Sequence, residues 1–220
     1  MKITSCGHEL EIPDAHAEDF ASEVTIRDQF WRIAPGDVVL DIGASVGTYA
    51  LPALALGASV FAVDVLDDPH TSPLACIAHD NGLTEKLVII QCAVGDADGY
   101  PSEIMSVVHS EQPDHYGGIR YPGLKDCNWS TVDKLVSGYC IEQVDWIKID
   151  TEGGELPILR GAGRTLDRDH PKLLVEEHSH LEHIRNMGSA AQLRELLSYH
   201  GYIWVEVPYE DRALWFCSYG

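Results

Sequence analysis

Lys148, Asp150 and Glu152 stand together in the stretch VDWIKIDTEGGELPILRGA, residues 144 to 162, at the mouth of an apolar, strand-like run. Charge is expensive to bury at such a place, so these residues either cap a helix or do chemistry. Alternation along a strand sends Lys148 to the same face as Asp150. The lysine then holds Asp150 ionised or orients a substrate oxygen; the competing reading is a structural ion pair. Glu155, beside Pro157 at the start of the following helical piece, reads as a cap favoured by the helix dipole. Glu152 is divided evenly between cap and substrate contact.

A second group ends the run KLLVEEH, where Glu176 and His178 share one face and Glu177 takes the other. Imidazole titrates near neutrality, which suits His178 as a general base with Glu176 and Asp150 beside it. The alternative makes Asp150, Glu176 and His178 ligands of a divalent metal that acidifies a hydroxyl. The base reading is preferred, and no metal site is assigned. A zinc reading of HSHLEH through His178, His180 and His183 lacks a closed ligand set.

The third group is the turn DIGASVG, with Asp41 ending a strand and Gly43 and Gly47 four residues apart. Glycines let backbone approach a ligand closely, and a helix start offers unpaired N–H groups. Asp64 closes the next strand 21 residues after Gly43, where a carboxylate accepts hydrogen bonds from ribose hydroxyls. Two spaced signals point to an adenosine site. Ser45 stands where the middle glycine of G-x-G-x-x-G would be, which counts against a nicotinamide-dependent oxidoreductase. A non-catalytic cofactor-binding protein would show a disabled end to the fourth strand, and IKIDTEGGE is intact.

The elements that must position these groups are short Val- and Ile-rich runs: 37 to 43, 59 to 65, 87 to 94, 144 to 150 and 172 to 178. Each has the look of a buried parallel strand. Helix-compatible pieces separate them, which predicts a doubly wound α/β sheet with helices on both faces. AAQLRELLSYHG predicts a further helix ending at Gly201. YIWVEVP and ALWFCSY follow it, joined only by YEDR, a link too short for a parallel crossover. The sheet should therefore carry one reversed strand at its end. Residues 14 to 33 predict a helical cap over the cofactor, with Trp31 in the core. The insertion at about 97 to 128 is assigned to a substrate lid, with His109, His115 and Tyr116 as candidate contacts.

A chain of 220 residues suits one domain. Its 35 acidic against 15 basic residues give a net charge of -20, which repels nucleic acid and anionic membranes. Six cysteines without a C-x-x-C pair argue against a zinc cluster or redox dithiol. The first twenty residues are acidic and no apolar run approaches membrane-spanning length, so a cytoplasmic location is expected. Whether the chain forms a homodimer is left open.

Together, PGDVVLDIGASVGTYAL, CAVGDADG, STVDKL, VDWIKIDTEGGELPILRGA and LLVEEH resemble, in kind and order, the FkbM-type methyltransferases of the Rossmann-like class. The resemblance spans roughly residues 20 to 180. It implies a seven-stranded sheet and methyl transfer from S-adenosylmethionine to a hydroxyl of a sugar, polyketide or other small metabolite. On that resemblance Asp41, Gly43 and Gly47 belong to the loop under the methionine part, and Asp64 is the ribose-binding acid. Ser45 stands where the family often has Asn, and Asp64-Val65 where it often has Glu-Pro.

Overall fold

The computed structural model describes residues 1–65, 72–97, 128–178, 188–209 and 212–220. The segment assigned to a substrate lid, with His109, His115 and Tyr116, lies outside the described residues, as do Cys127, His180 and His183. The other five cysteines are free thiols.

The chain opens with an antiparallel hairpin, β1 (Lys2–Ser5) and β2 (His8–Glu11), followed by α1 (Ala17–Ser22) and α2 (Val24–Phe30). The helical cap expected over residues 14 to 33 is thus two short helices. The hairpin before them is an element that alternation over only four residues a strand does not announce.

The central sheet takes in β3 (Val38–Ile42), β4 (Ser59–Asp64), β5 (Leu87–Gln91), β8 (Trp146–Ile149), β9 (Lys172–Glu177), β10 (Tyr202–Tyr209) and β11 (Arg212–Tyr219). Its order is β10-β11-β9-β8-β3-β4-β5, seven strands with only β11 reversed against its neighbours. The reversed strand lies inside the sheet rather than at its margin, because β11 slots between β9 and β10. The run expected at 87 to 94 divides. After Gln91 the Cys92 N–H donates to the Asp64 carbonyl, and β6 (Ala93–Val94) leaves to pair with β7 (Trp129–Ser130).

Side chains alternate between two layers, as a sheet covered on both faces requires. Val39 and Trp146 join the layer of the N-terminal helices, α3 (Ala50–Ala55) and α4 (Pro73–Asp80). Leu40, Ile42, Ile147 and Ile149 join the layer of α5 (Val132–Gly138), α6 (Glu155–Arg160), α7 (Gly163–Asp169) and α8 (Ala190–Tyr199). The helix-compatible piece before the fifth strand breaks at Gly161, which packs so closely on the Gly95 carbonyl that a Cβ would overlap it. Asp133 then bridges α5 to the start of α7, accepting from Thr165 N–H at 2.9 Å and Arg164 N–H at 3.1 Å. Ser189 and Gln192 close a capping box on α8.

Strand register is what builds the site. Asp41 pairs with Lys148, and Lys148 with Leu174. One face of three neighbouring strands therefore delivers Asp41, then Lys148 and Asp150, then Glu176 and His178, toward the carboxyl ends where ligands sit in open α/β sheets.

Candidate active site

The turn after β3 is tied to the end of β4. Gly43 and Ala44 N–H groups both donate to the Val63 carbonyl, at 2.8 and 3.2 Å, and Ser45 N–H donates to Asp64 Oδ2 at 3.0 Å. Gly43, Ser45 and Gly47 all have positive φ, +79°, +49° and +89°. That conformation suits glycine and costs Ser45 roughly 1 kcal/mol, a penalty Asn at this position would feel less. A Cβ at Gly43 would overlap the Asp150 carbonyl oxygen, and one at Gly47 would overlap the Leu74 side chain. Regular helix begins only at Ala50, a little beyond the position the sequence suggested.

Lys148 is buried and sits at the hub. Its Nζ donates to the Gly43 carbonyl at 3.2 Å and to Asp150 Oδ2 at 3.1 Å, and lies 3.7 Å from Asp41 Oδ1. The Tyr49 ring packs against it, with the ammonium 5.1 Å from the ring centre. Burial alone would lower the lysine pKa, but Asp150, Asp41, Glu23 and Glu176 together raise it above its ordinary value. The group is a fixed ammonium.

Asp41, assigned to the cofactor from sequence, has no exposed surface. It faces Lys148, with Oδ1 3.7 Å from the Nζ. Burial raises its pKa to about 6, against the opposing pull of Lys148. Asp150, by contrast, keeps about a quarter of its side chain exposed at the strand end.

The end of β9 carries a second hub. His178 and Glu176 are both buried, with His178 Nε2 3.4 Å from Glu176 Oε1 and 3.7 Å from Glu152 Oε2. His178 Nδ1 stands 3.0 Å from Glu155 Oε1, which also accepts from Gly153 N–H at 2.9 Å. Glu155 is therefore more than the helix cap expected of it; it braces the histidine. Glu152 faces the site, held there by a left-handed backbone at φ +54°, a strain of the kind that clusters at functional sites.

Burial pushes the His178 pKa down, but hydrogen bonds with Glu155 and Glu176 and the surrounding carboxylate charge push it up to about 10. An imidazolium has no lone pair to accept a proton. The general-base role read for His178 from sequence requires a neutral ring, and the carboxylates here favour the charged form.

Asp150, Glu176 and His178 come together all the same, each offering one ligand-type atom within 4.8 Å of the others. Sequence reasoning missed Tyr49, a buried residue with no local signal of its place beneath Lys148. Arg27, also buried, packs 5.7 Å from the same ring, donates to Ser5 Oγ at 3.1 Å and donates to the Phe20 carbonyl. Trp31 is core, as expected, and its Nε1 donates to the Tyr49 carbonyl at 3.2 Å.

The turn and the carboxylate fit an adenosylated cofactor. Gly43, Ser45 and Gly47 hold a close-approach backbone that admits no extra Cβ at the two glycines, and Asp64, held by the Ser45 N–H, offers a carboxylate of the kind that accepts from ribose hydroxyls.

The family model of the methyltransferase FkbM domain matches residues 41–204. No curated protein matches the chain in sequence. Among solved structures, the fold is similar to methyltransferase FkbM from Methylobacillus flagellatus KT at 20% identity and TM-score 0.61, over 89% of this chain and 47% of that one. This chain thus spans about half the length of that relative. It is also similar to a SAM-dependent methyltransferase from Aquifex aeolicus, at 15% identity and TM-score 0.51, over 94% and 93% of the two chains. A precorrin 8W decarboxylase from Methanobacterium thermoautotrophicum shares the fold as well, at 14% identity and TM-score 0.50, over 95% and 92%. Fold alone therefore does not separate chemistries, whereas the family model spans the glycine turn, the Lys148–Asp150 strand and the Glu176–His178 strand together. On that match the chain belongs to the FkbM family of S-adenosylmethionine-dependent methyltransferases.

Proposed function

We propose that this chain methylates a hydroxyl oxygen on an uncharged small metabolite or sugar. The observation that carries the reading is the Lys148–Asp150 pair, a buried ammonium holding a part-exposed carboxylate beside the Gly43 turn. When bound, S-adenosylmethionine supplies an electrophilic methyl group on a sulfonium centre. Gly43, Ser45 and Gly47 would cradle its methionine part, and Asp64 would accept from its ribose hydroxyls.

The chain's own groups mainly position. Lys148 keeps Asp150 ionised, so Asp150 can accept a hydrogen bond from the acceptor hydroxyl and aim its oxygen. Alignment of this kind contributes several kcal/mol to a displacement. The carboxylates around Lys148 and His178 favour a cationic donor and disfavour phosphorylated acceptors. The net charge of -20 argues the same way against nucleic acid. Among the described residues no helix is long and apolar enough to cross a membrane.

The test is calorimetric titration with S-adenosylmethionine, its demethylated product and NAD, comparing wild type with Asp64→Ala. Binding of the first two, weakened about tenfold to a hundredfold in the variant, is the expected result. Binding of NAD alone, or of none of the three, would sink the reading. Mass spectrometry of hydroxylated acceptors after incubation then separates a methyl ether from an N-methyl product.

A further inference from the structure

The geometry points to a divalent-cation site formed by Asp150, Glu176 and His178, oriented by Glu155. Three ligand-type atoms from the ends of two neighbouring strands lie within 4.8 Å of one another. Two ligands bound about 2.1 Å from one ion stand roughly 3 Å apart at right angles and roughly 4.2 Å apart when opposed. Side-chain shifts of up to about 1 Å would bring atoms within 4.8 Å of one another to those separations.

A second observation points to a ligand independently of that clustering. His178 turns Nδ1 to Glu155 Oε1 at 3.0 Å, inside the protein, and presents Nε2 to the side where Glu176 Oε1 and Glu152 Oε2 converge. A carboxylate on the far nitrogen is the arrangement that fixes the ring of a metal-binding histidine. Glu155 is itself fixed by the Gly153 N–H.

An oxygen–imidazole set with one nitrogen and two carboxylates suits a first-row ion such as Mn2+ better than the all-oxygen sites of Ca2+. An ion here would make a neighbouring hydroxyl more acidic. That role rests on the methyl-transfer reading; the binding of the ion does not.

Mn2+ is the probe. The purified full chain, stripped with chelator and free of S-adenosylmethionine, is titrated with Mn2+ while the electron paramagnetic resonance of the free ion is followed. The expected result is one tight equivalent, weakened at least tenfold in Glu176→Gln and in Asp150→Asn, and about tenfold to a hundredfold in Glu155→Gln, which removes no ligand. Asp150 is part-exposed, so Asp150→Asn keeps the test valid should the buried variants fail to fold. Absence of a stoichiometric site, or affinity unchanged in Asp150→Asn, overturns the proposal. Calorimetry with S-adenosylmethionine on the same samples separates the readings. Loss of Mn2+ binding with cofactor binding intact sinks the metal site alone, and the reverse sinks only methyl transfer.

Discussion

The backbone of Gly43 rests directly against the carbonyl of Asp150, so closely that any side chain at 43 would overlap that oxygen. The turn assigned to the cofactor and the residue assigned to the acceptor are thereby locked to one another. Lys148 reinforces the lock by donating to the Gly43 carbonyl and to Asp150 Oδ2 at once. Donor and acceptor sites cannot drift apart without breaking this contact.

Gly43→Ala should therefore destabilise the protein by roughly 2–5 kcal/mol, combining a left-handed backbone with overlap against a rigid neighbour. Gly82→Ala is the control, because Gly82 has φ +67° but open space around its Cβ position. It should cost only about 1 kcal/mol. Urea denaturation of the two variants checks the difference, and equal losses would show that the Asp150 contact is unimportant.

Lys148→Met should leave Asp41 and Asp150 without their cation and cost about 3–5 kcal/mol. Adding Asp41→Asn should recover part of that loss, with a coupling of at least about 1 kcal/mol in a double-mutant cycle. The same aspartate sets a pH dependence. Its pKa is about 6 in the folded chain against an ordinary 3.8, so the folded state binds the proton more tightly. Its contribution is most favourable below about pH 4 and is lost as pH rises through about 6, on the order of 3 kcal/mol in all. Unfolding free energies from pH 4 to 8 should show this fall in wild type and lack it in Asp41→Asn.

His178 should remain protonated well above neutrality, since its pKa is about 10 against an ordinary 6.5. With the raised value in the folded state, its contribution to stability is fully present below about pH 6.5 and is lost as pH rises through about 10. His178→Gln should flatten that alkaline fall. Histidine NMR in the presence of chelator gives the direct measure: an imidazolium signal at pH 8 is expected, and titration near 6.5 would contradict the bracing by Glu155 and Glu176.

Much of the framework is legible in local patterns. Runs such as DVVLDIG and KLLVEEH form strands because both faces are buried, which selects near-continuous Val, Ile and Leu. YEDR, whose Tyr209 and Arg212 extend the two strands and leave a two-residue link, forces the reversal of β11 through chain length alone. The run from 87 to 94 misleads because Ala93 and Val94 are as apolar as the strand before them, yet pair with residues 129 and 130. Nothing near Ala93 in sequence announces that partner.

By itself the sequence determined the spacing of Gly43, Gly47 and Asp64, the shared face of Lys148 with Asp150, and the shared face of Glu176 with His178. Each follows from the two-residue period of a strand or the span of one β–α–β unit, which are local properties. The tertiary structure alone decided that these faces meet, that Asp41 lies buried under Lys148, that Tyr49 packs beneath the lysine, and that Glu155 braces His178. Those relations arise from strand register and from the packing of α6 against the end of β9. They shift charge equilibria only once the groups are within a few ångströms in a low-dielectric interior. That nearness, which spacing along the chain does not encode, surrounds the His178 ring with carboxylates that favour its charged form.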